Sequence, residues 1–148
     1  MDTRQHHILY IEDHDDTREL VTLVLSERNY RVTTGATIGE ALKLAQEHPF
    51  DLYLLDSWLP DGSGMDLCKS LRELDPSIPI VFFSGAAYEA DKQTAINSGA
   101  QVYITKPANF DELCSEVSKL IRMFPRKPAL MKAAVKGADF GPMQAQVA

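Results

Sequence analysis

Short apolar runs alternate with longer segments of helical periodicity along most of the chain. Five runs have the length of strands, and they are residues 8–11, 30–33, 52–55, 78–83 and 101–104. Three of them are nearly continuously apolar, which is typical of strands that are covered on both faces. The pattern therefore predicts five strands with helices between them.

The segments between the runs carry helix signals. Thr37 and Glu40 have the spacing of a capping box, and an apolar stripe follows them. Asn109 is a candidate cap for the last helix, which Pro125 should stop. The fourth helical segment, residues 86–97, has the weakest apolar stripe, so we expect it to be either merely exposed or a surface that moves.

Five strands alternating with five helices predict an α/β fold. Connections of this kind are right-handed crossovers between parallel strands, and helices on both faces make the sheet doubly wound. Ligands of such sheets bind beyond the carboxyl ends of the strands. The residues that directly follow each apolar run are therefore the candidates for function.

Polar and charged residues follow four of the five runs. Glu12 and Asp13 come after the first, Asp56 after the third, Ser84 after the fourth and Lys106 after the fifth. Each has an ordinary alternative reading, as a turn residue, a helix cap or a surface lysine. Their placement at one sheet edge favours a single site.

The charges of these residues indicate the chemistry. Two carboxylates about 4 Å apart repel by about 4 kcal/mol at an effective dielectric near 20, so three share a site only with raised pKa values or a bound cation. Few, hard oxygen ligands favour Mg²⁺. A carboxylate beside the metal can attack phosphorus, while a hydroxyl and an ammonium donate hydrogen bonds to phosphoryl oxygens. The pattern predicts magnesium-dependent phosphoryl transfer to a carboxylate.

Several other residues carry weaker signals. Asp15 or Asp16 is expected to cap the first helix rather than bind metal. The pair at positions 6 and 7 is expected to be an exposed flank, not a metal site. Cys68 and Cys114 lie in helical segments without metal-ligand spacing, which indicates a reducing compartment.

Length and composition limit the organisation. The 148 residues suit one domain, expected over residues 1–124, with a tail over 125–148 that is a linker, a docking peptide or disordered and has a helix candidate at 129–136. The net charge of −6 argues against direct nucleic-acid binding. No apolar stretch is long enough to span a membrane and no signal peptide is evident, so we expect a cytoplasmic protein without membrane contact.

Five sequence blocks resemble the receiver domains of two-component response regulators over residues 5–124. The blocks are residues 8–13, 51–56, 59–64, 81–85 and 103–107. The resemblance implies a flavodoxin-like sheet in the order 2-1-3-4-5. It also implies that Asp56 is the phosphoacceptor and that Asp13, Asp56 and the backbone carbonyl of Trp58 hold Mg²⁺, with Glu12 acting through a metal-bound water.

The resemblance further assigns the switch. Lys106 would pair with the phosphoryl group, Ser84 would hydrogen-bond to it and shift, and Tyr103 would swing inward behind Ser84. The bond between Lys106 and Pro107 matches one that is cis in the family. Trp58 and Ala86 stand where many relatives carry polar residues beside the path of the attacking water, so the phosphoryl lifetime stays open.

The implied partners are a histidine kinase or histidine phosphotransfer domain as donor and an unidentified downstream protein, and a homodimer is left open. The protein would be a self-phosphorylating and self-dephosphorylating switch rather than a turnover enzyme. One alternative is an aspartyl-phosphate phosphatase, but its second aspartate is replaced by Trp58. Another is a flavin-binding module, whose phosphate the acidic first loop would repel. The third alternative is a degenerate receiver that is used only as a docking surface.

Overall fold

A five-stranded parallel sheet forms the centre of the protein. The computed structural model describes residues 5–86, 88–106 and 109–126. In chain order the elements are β1 (His7–Ile11), α1 (Asp15–Glu27), β2 (Arg31–Gly35), α2 (Ile38–Glu47), β3 (Leu52–Leu55), β4 (Trp58–Leu59), β5 (Gly62–Ser63), α3 (Gly64–Leu74), β6 (Ile80–Ser84), α4 (Glu89–Asn97), β7 (Val102–Thr105) and α5 (Phe110–Met123).

The strands of the central sheet lie in the order β2-β1-β3-β6-β7, and every neighbouring pair is parallel. Counted along the chain without the small hairpin, this is the order 2-1-3-4-5. The predicted doubly wound fold is confirmed. The antiparallel hairpin of β4 and β5 was not predicted, because two-residue strands leave no periodic signal.

Helices cover both faces of the sheet. One apolar cluster joins α1 and α5 to alternate residues of the strands, and the other joins α2, α3 and α4 to the remaining ones. Tyr10 of β1, for example, lies in the first cluster, while its neighbours Leu9 and Ile11 lie in the second. This alternation explains why the central runs are apolar at every position.

Two predicted caps are confirmed and one is wrong. The Thr37 hydroxyl accepts from the Glu40 amide at 3.1 Å, and the Asn109 side chain accepts from the Asp111 amide at 2.6 Å. The first helix is capped by His14, whose Nδ1 accepts from the Thr17 amide at 3.2 Å. The two aspartates at positions 15 and 16 instead occupy the first turn, where carboxylates interact favourably with the helix dipole.

His7 is buried, contrary to the expectation of an exposed flank. Strand β1 begins at His7, one residue before the apolar run, and pairs it with Arg31 of β2. A His7 ring nitrogen lies 2.6 Å from the Thr33 hydroxyl, and the ring centroid lies 4.4 Å from that of Phe50. The imidazole is therefore packed at the end of the sheet where β1 begins.

Helix α4 has little contact with the core, in line with its weak apolar stripe. Ala95 is its one buried residue, and Ile96 is 41% exposed. Cys68 and Cys114 are buried free thiols. Within the described ranges, no helix has the length and apolar character needed to cross a membrane. The candidate tail helix at 129–136 lies outside the described residues.

Candidate metal-binding and acceptor site

Backbone hydrogen bonds continue the parallel ladder by one residue beyond the strands and so set the candidate residues in register. The Glu12 amide donates to Gly35 O at 3.0 Å, and the Asp56 amide donates to Ile11 O at 3.1 Å. On the other side, the Lys106 amide donates to Ser84 O at 2.7 Å. Four separate loops are thereby held at one edge of the sheet.

Three carboxylates converge at this edge, as the sequence predicts. Glu12, Asp13 and Asp56 each offer an oxygen, and these oxygens lie within 4.8 Å of one another. Glu12 is buried, Asp56 is half-buried and Asp13 is exposed. Burial, together with the negative charge of Glu12, raises the pKa of Asp56 above its usual value.

The ammonium of Lys106 faces this acidic cluster. The Lys106 Nζ lies 2.5 Å from Glu12 Oε1 and 3.7 Å from Asp56 Oδ2, and it sits 5.5 Å from the centroid of the Phe83 ring. The Arg18 guanidinium donates to the Glu12 carbonyl oxygen at 2.7 Å and adds a second positive charge nearby. Two cations do not balance three carboxylates, so the cluster retains excess negative charge when all three are ionised. An all-oxygen donor set with this excess suits a hard divalent cation such as Mg²⁺.

Glu12 is held by neighbours that the sequence did not identify. The Tyr10 hydroxyl donates to Glu12 Oε1 at 3.4 Å, and the His14 amide donates to Oε2 at 3.2 Å. Burial and the nearby charge of Glu12 raise the pKa of the Tyr10 phenol. The available signal was the two-residue spacing, which places Tyr10 and Glu12 on the same side of an extended segment.

The Asp56 loop is fixed against the start of α3. The Ser57 amide donates to Asp56 Oδ1 at 2.7 Å, and the Gly64 amide donates to Ser57 O at 2.7 Å. A Cβ atom on Gly64 would lie 2.0 Å from the Asp56 carbonyl oxygen, so only glycine allows this approach. Gly64 thus positions the acceptor loop, a role that its place in the sequence block did not reveal.

The side chains of the predicted switch residues Ser84 and Tyr103 both bond to the backbone of Ala86. The buried Ser84 hydroxyl accepts from the Ala86 amide at 3.1 Å and does not cap α4, whose N-cap position is Tyr88. The Tyr103 hydroxyl donates to Ala86 O at 2.6 Å and lies 3.1 Å from the Ser57 hydroxyl. Ser57 was not identified from the sequence.

Two further predictions concern Trp58 and the bond between Lys106 and Pro107. Trp58 begins β4, two residues after Asp56, and is 60% exposed. Its carbonyl as a metal ligand stays a prediction. The expected cis bond between Lys106 and Pro107 falls on Pro107, which lies outside the described residues.

A family model described as "Response regulator receiver domain" matches residues 8–118. The match begins in β1, includes all five strands of the central sheet and ends within α5. The chain belongs to this family. It is a receiver domain of the two-component response regulators, and the resemblance drawn from its sequence blocks is confirmed.

Similar proteins support the assignment. The receiver domain is 32% identical over 120 residues to the response regulator ArlR of Staphylococcus aureus, covering 81% of this chain and 54% of that protein. It is 31% identical over 129 residues to a probable transcriptional regulator, ycf27, of Cyanidium caldarium, covering 87% of this chain and 51% of that one. The chain thus spans about half the length of the curated relatives it matches.

Solved structures match the fold over most of its length. A CheY-like receiver domain protein of Methanospirillum hungatei superposes with a TM-score of 0.78 at 28% identity, covering 81% of this chain and 96% of that one. A response regulator of Chloroflexus aurantiacus gives a TM-score of 0.77 at 29% identity, covering 80% and 99%.

Proposed function

We propose that this receiver domain accepts a phosphoryl group on Asp56 in a Mg²⁺-dependent reaction and thereby changes its surface for a downstream partner. The observation that supports this most directly is the position of the Asp56 carboxylate. It lies between two further carboxylates, Glu12 and Asp13, and the ammonium of Lys106. Acceptor, metal ligands and a phosphoryl-binding cation are therefore adjacent.

The chemical step is an in-line displacement at phosphorus. Asp56 Oδ2 faces Lys106, whereas Oδ1 is occupied by the Ser57 amide, so we assign the attack to Oδ2. The new bond joins Oδ2 to phosphorus. The phosphorus–nitrogen bond of a phosphohistidine donor breaks, and its electron pair stays with the imidazole nitrogen. The product is an acyl phosphate on the protein.

The donor groups of the site serve the phosphoryl oxygens. Lys106 Nζ, 3.7 Å from Oδ2, is placed to donate to one of them. Ser84 also has a hydroxyl proton to donate, while its oxygen accepts from the Ala86 amide. In our proposal Ser84 turns toward the phosphoryl group, and Tyr103 responds to that change.

The metal assignment rests on the family resemblance and is supported by the cluster of Glu12, Asp13 and Asp56. Asp13, Asp56 and the Trp58 carbonyl would hold Mg²⁺ directly, and Glu12 would act through a water. When bound, the ion would neutralise charge on the acceptor and on the phosphoryl oxygens. The protein's own part is to keep Asp56 ionised and oriented, although burial and Glu12 raise its pKa.

The partners and setting follow from the family. A histidine kinase or phosphotransfer domain supplies the phosphoryl group, and an unidentified protein reads the changed surface. The protein acts as a switch rather than a turnover enzyme, because the phosphoryl group stays attached to it until hydrolysis. We place it in the cytoplasm, without direct nucleic-acid or membrane binding by this chain and with a homodimer left open.

The alternatives have less support. A phosphatase of the aspartyl-phosphate type needs a proton donor two residues after the nucleophile, and Trp58 provides none there. A flavin-binding module would place a phosphate beside Glu12 and Asp13, which would repel it. A degenerate docking receiver would lack acceptor chemistry, whereas the acceptor, acidic and lysine positions are all filled.

Intact-mass spectrometry tests the proposal. Wild type is incubated with a small phosphoramidate donor and Mg²⁺, beside Asp56→Asn and the matched control Glu73→Gln, an exposed acid on α3. We expect one phosphoryl group on wild type and control, and none on Asp56→Asn or after chelation of the metal. The proposal would be overturned if Asp56→Asn were labelled as fully as wild type, or if wild type were still labelled after the metal is chelated.

A further inference from the structure

Ser57 is a buried residue that touches both the acceptor and the switch. Its side chain has no solvent exposure. Its amide donates to Asp56 Oδ1 at 2.7 Å, its carbonyl accepts from the Gly64 amide at 2.7 Å, and its hydroxyl lies 3.1 Å from the hydroxyl of Tyr103. Neither the backbone nor the side chain of Ser57 can shift without disturbing one of these contacts.

The direction of the hydroxyl bond can be deduced. The Tyr103 hydroxyl has one proton, and it also contacts the Ala86 carbonyl at 2.6 Å. A carbonyl only accepts, so the Tyr103 proton goes to Ala86. Tyr103 must then accept from Ser57, whose hydroxyl is the donor. The result is a chain of hydrogen bonds from Ser57 through Tyr103 to Ala86, in which each bond polarises the next.

These hydrogen bonds reach Ala86 without passing through the Ser84 side chain. Ala86 connects Ser84 to the start of α4, and its amide is bonded to the Ser84 hydroxyl at 3.1 Å. The Tyr103 ring is stacked on Phe82, with centroids 5.8 Å apart and planes 11° apart, which limits its freedom on that side. The Ser57 donor therefore fixes the tyrosine hydroxyl from the side of the acceptor loop.

We propose that Ser57 is a positioning residue that couples the acceptor loop directly to Tyr103, as a second route beside Ser84. The inference rests on the proposed function, because it concerns how a change at Asp56 is read. When the Asp56 carboxylate is engaged, the adjoining Ser57 amide and hydroxyl adjust together. Tyr103 and the Ala86 carbonyl then follow, even when residue 84 has no hydroxyl.

Amide hydrogen exchange of residues 84–97 measures the coupling, first in the free protein. Removal of one neutral hydrogen bond in Ser57→Ala should speed exchange in this segment by about 2- to 10-fold. Tyr103→Phe should have a similar effect. The double variant should exchange no faster than Tyr103→Phe alone, because the Ser57 donor acts only through the tyrosine hydroxyl. Cys114→Ala, a buried change in the opposite core, controls for general loosening.

The same variants are then measured with Mg²⁺ and beryllofluoride as the phosphoryl mimic. Ser84→Ala should keep part of the wild-type change in residues 84–97, and Ser57→Ala with Ser84→Ala should lose it. If Ser57→Ala exchanges like wild type in the free protein, or if the effects of Ser57→Ala and Tyr103→Phe simply add, the coupling does not exist. A third outcome is possible. If beryllofluoride leaves the exchange of wild type unchanged while the single and double variants show coupling in the free protein, the proposed function fails and the positioning role of Ser57 stands.

Discussion

Lys106 lies closer to Glu12 than to Asp56, with its Nζ 2.5 Å from Glu12 Oε1 and 3.7 Å from Asp56 Oδ2. The lysine that the family resemblance assigns to the phosphoryl group is therefore also the counter-ion of a carboxylate that is 1% exposed. Any movement of Lys106 toward a phosphoryl group weakens its pairing with Glu12. Mg²⁺ beside Glu12 would offset that loss.

Replacing Lys106 by methionine should destabilise the domain, since it removes the ammonium that pairs with the buried Glu12 carboxylate. We expect a loss of about 1–3 kcal/mol in the free energy of unfolding, less than the ~3–5 kcal/mol typical of fully buried pairs, because the lysine retains some solvent contact. Glu12→Gln combined with Lys106→Met should recover most of it. Urea unfolding with chelator compares wild type, the Glu12→Gln and Lys106→Met single variants and the double variant, and a double variant as unstable as Lys106→Met would contradict the pairing.

Asp56→Asn should stabilise the protein in metal-free buffer. The pKa of Asp56 is raised above 3.8 in the folded protein, so the ionised carboxylate opposes folding at neutral pH. The thermal midpoint should rise by several degrees, at about 2–4 °C for each kcal/mol. The advantage should shrink as the pH falls toward and below 3.8, because Asp56 then becomes protonated in both the folded and the unfolded wild type.

Mg²⁺ provides the matching control for Asp56→Asn. If the ion binds the folded carboxylate cluster as proposed, it should raise the midpoint of wild type more than that of the variant. A variant that melts at or below the wild-type temperature without metal would show that Asp56 is not under electrostatic strain.

His7 should make the stability depend on mild acid. Burial, helped by the charge of Arg31, lowers the pKa of His7 below 6.5, so the folded state favours neutral imidazole. The unfolded chain binds the extra proton, and stability is therefore complete above pH 6.5 and falls as the pH drops toward the lowered folded pKa. Urea midpoints between pH 7.5 and 5 measure the slope, which His7→Gln should reduce. An unchanged slope in His7→Gln would assign the effect to other groups.

The folded unit should extend beyond Phe124, the boundary expected from the sequence. Arg126 Nε lies 3.4 Å from Asp51 Oδ1, and the Asp51 carboxylate is 2% exposed and accepts from the His7 amide at 2.8 Å. Truncation after Arg126 should leave the thermal midpoint unchanged within a degree or two. Truncation after Phe124 should lower it by several degrees, and Arg126→Gln in the full chain should reproduce much of that drop. Equal midpoints for both truncations would support Phe124 as the end of the folded domain.

The fold was largely predictable because its signals are local. Apolar runs identify strands covered on both faces, and Thr37 and Asn109 cap helices through neighbouring residues. The position of the site followed from one general rule about the carboxyl ends of parallel strands. That rule brings together Glu12, Asp13 and Asp56 without any knowledge of side-chain conformation.

The details that the sequence missed depend on side-chain conformations and distant contacts. Lys106 and Glu12 are 94 residues apart, and whether a lysine meets one carboxylate or another is decided by a few ångströms. The link from Ser57 to Tyr103 likewise joins a loop residue after β3 to a residue of β7 that lies 46 positions later in the chain. His7 was misjudged because polar residues next to an apolar run are normally exposed, whereas here Thr33 and Phe50 accommodate the ring.

Chemical mapping of the modified residue tests the central claim most directly. Borohydride reduces an aspartyl phosphate to homoserine, which survives proteolysis and is located by tandem mass spectrometry. After treatment with a phosphoramidate donor and Mg²⁺, we predict homoserine at position 56 and at no other aspartate, with none formed when the metal is chelated. Homoserine at Asp13 or elsewhere, or an unmodified Asp56 in a protein that has gained a phosphoryl group, would contradict the account.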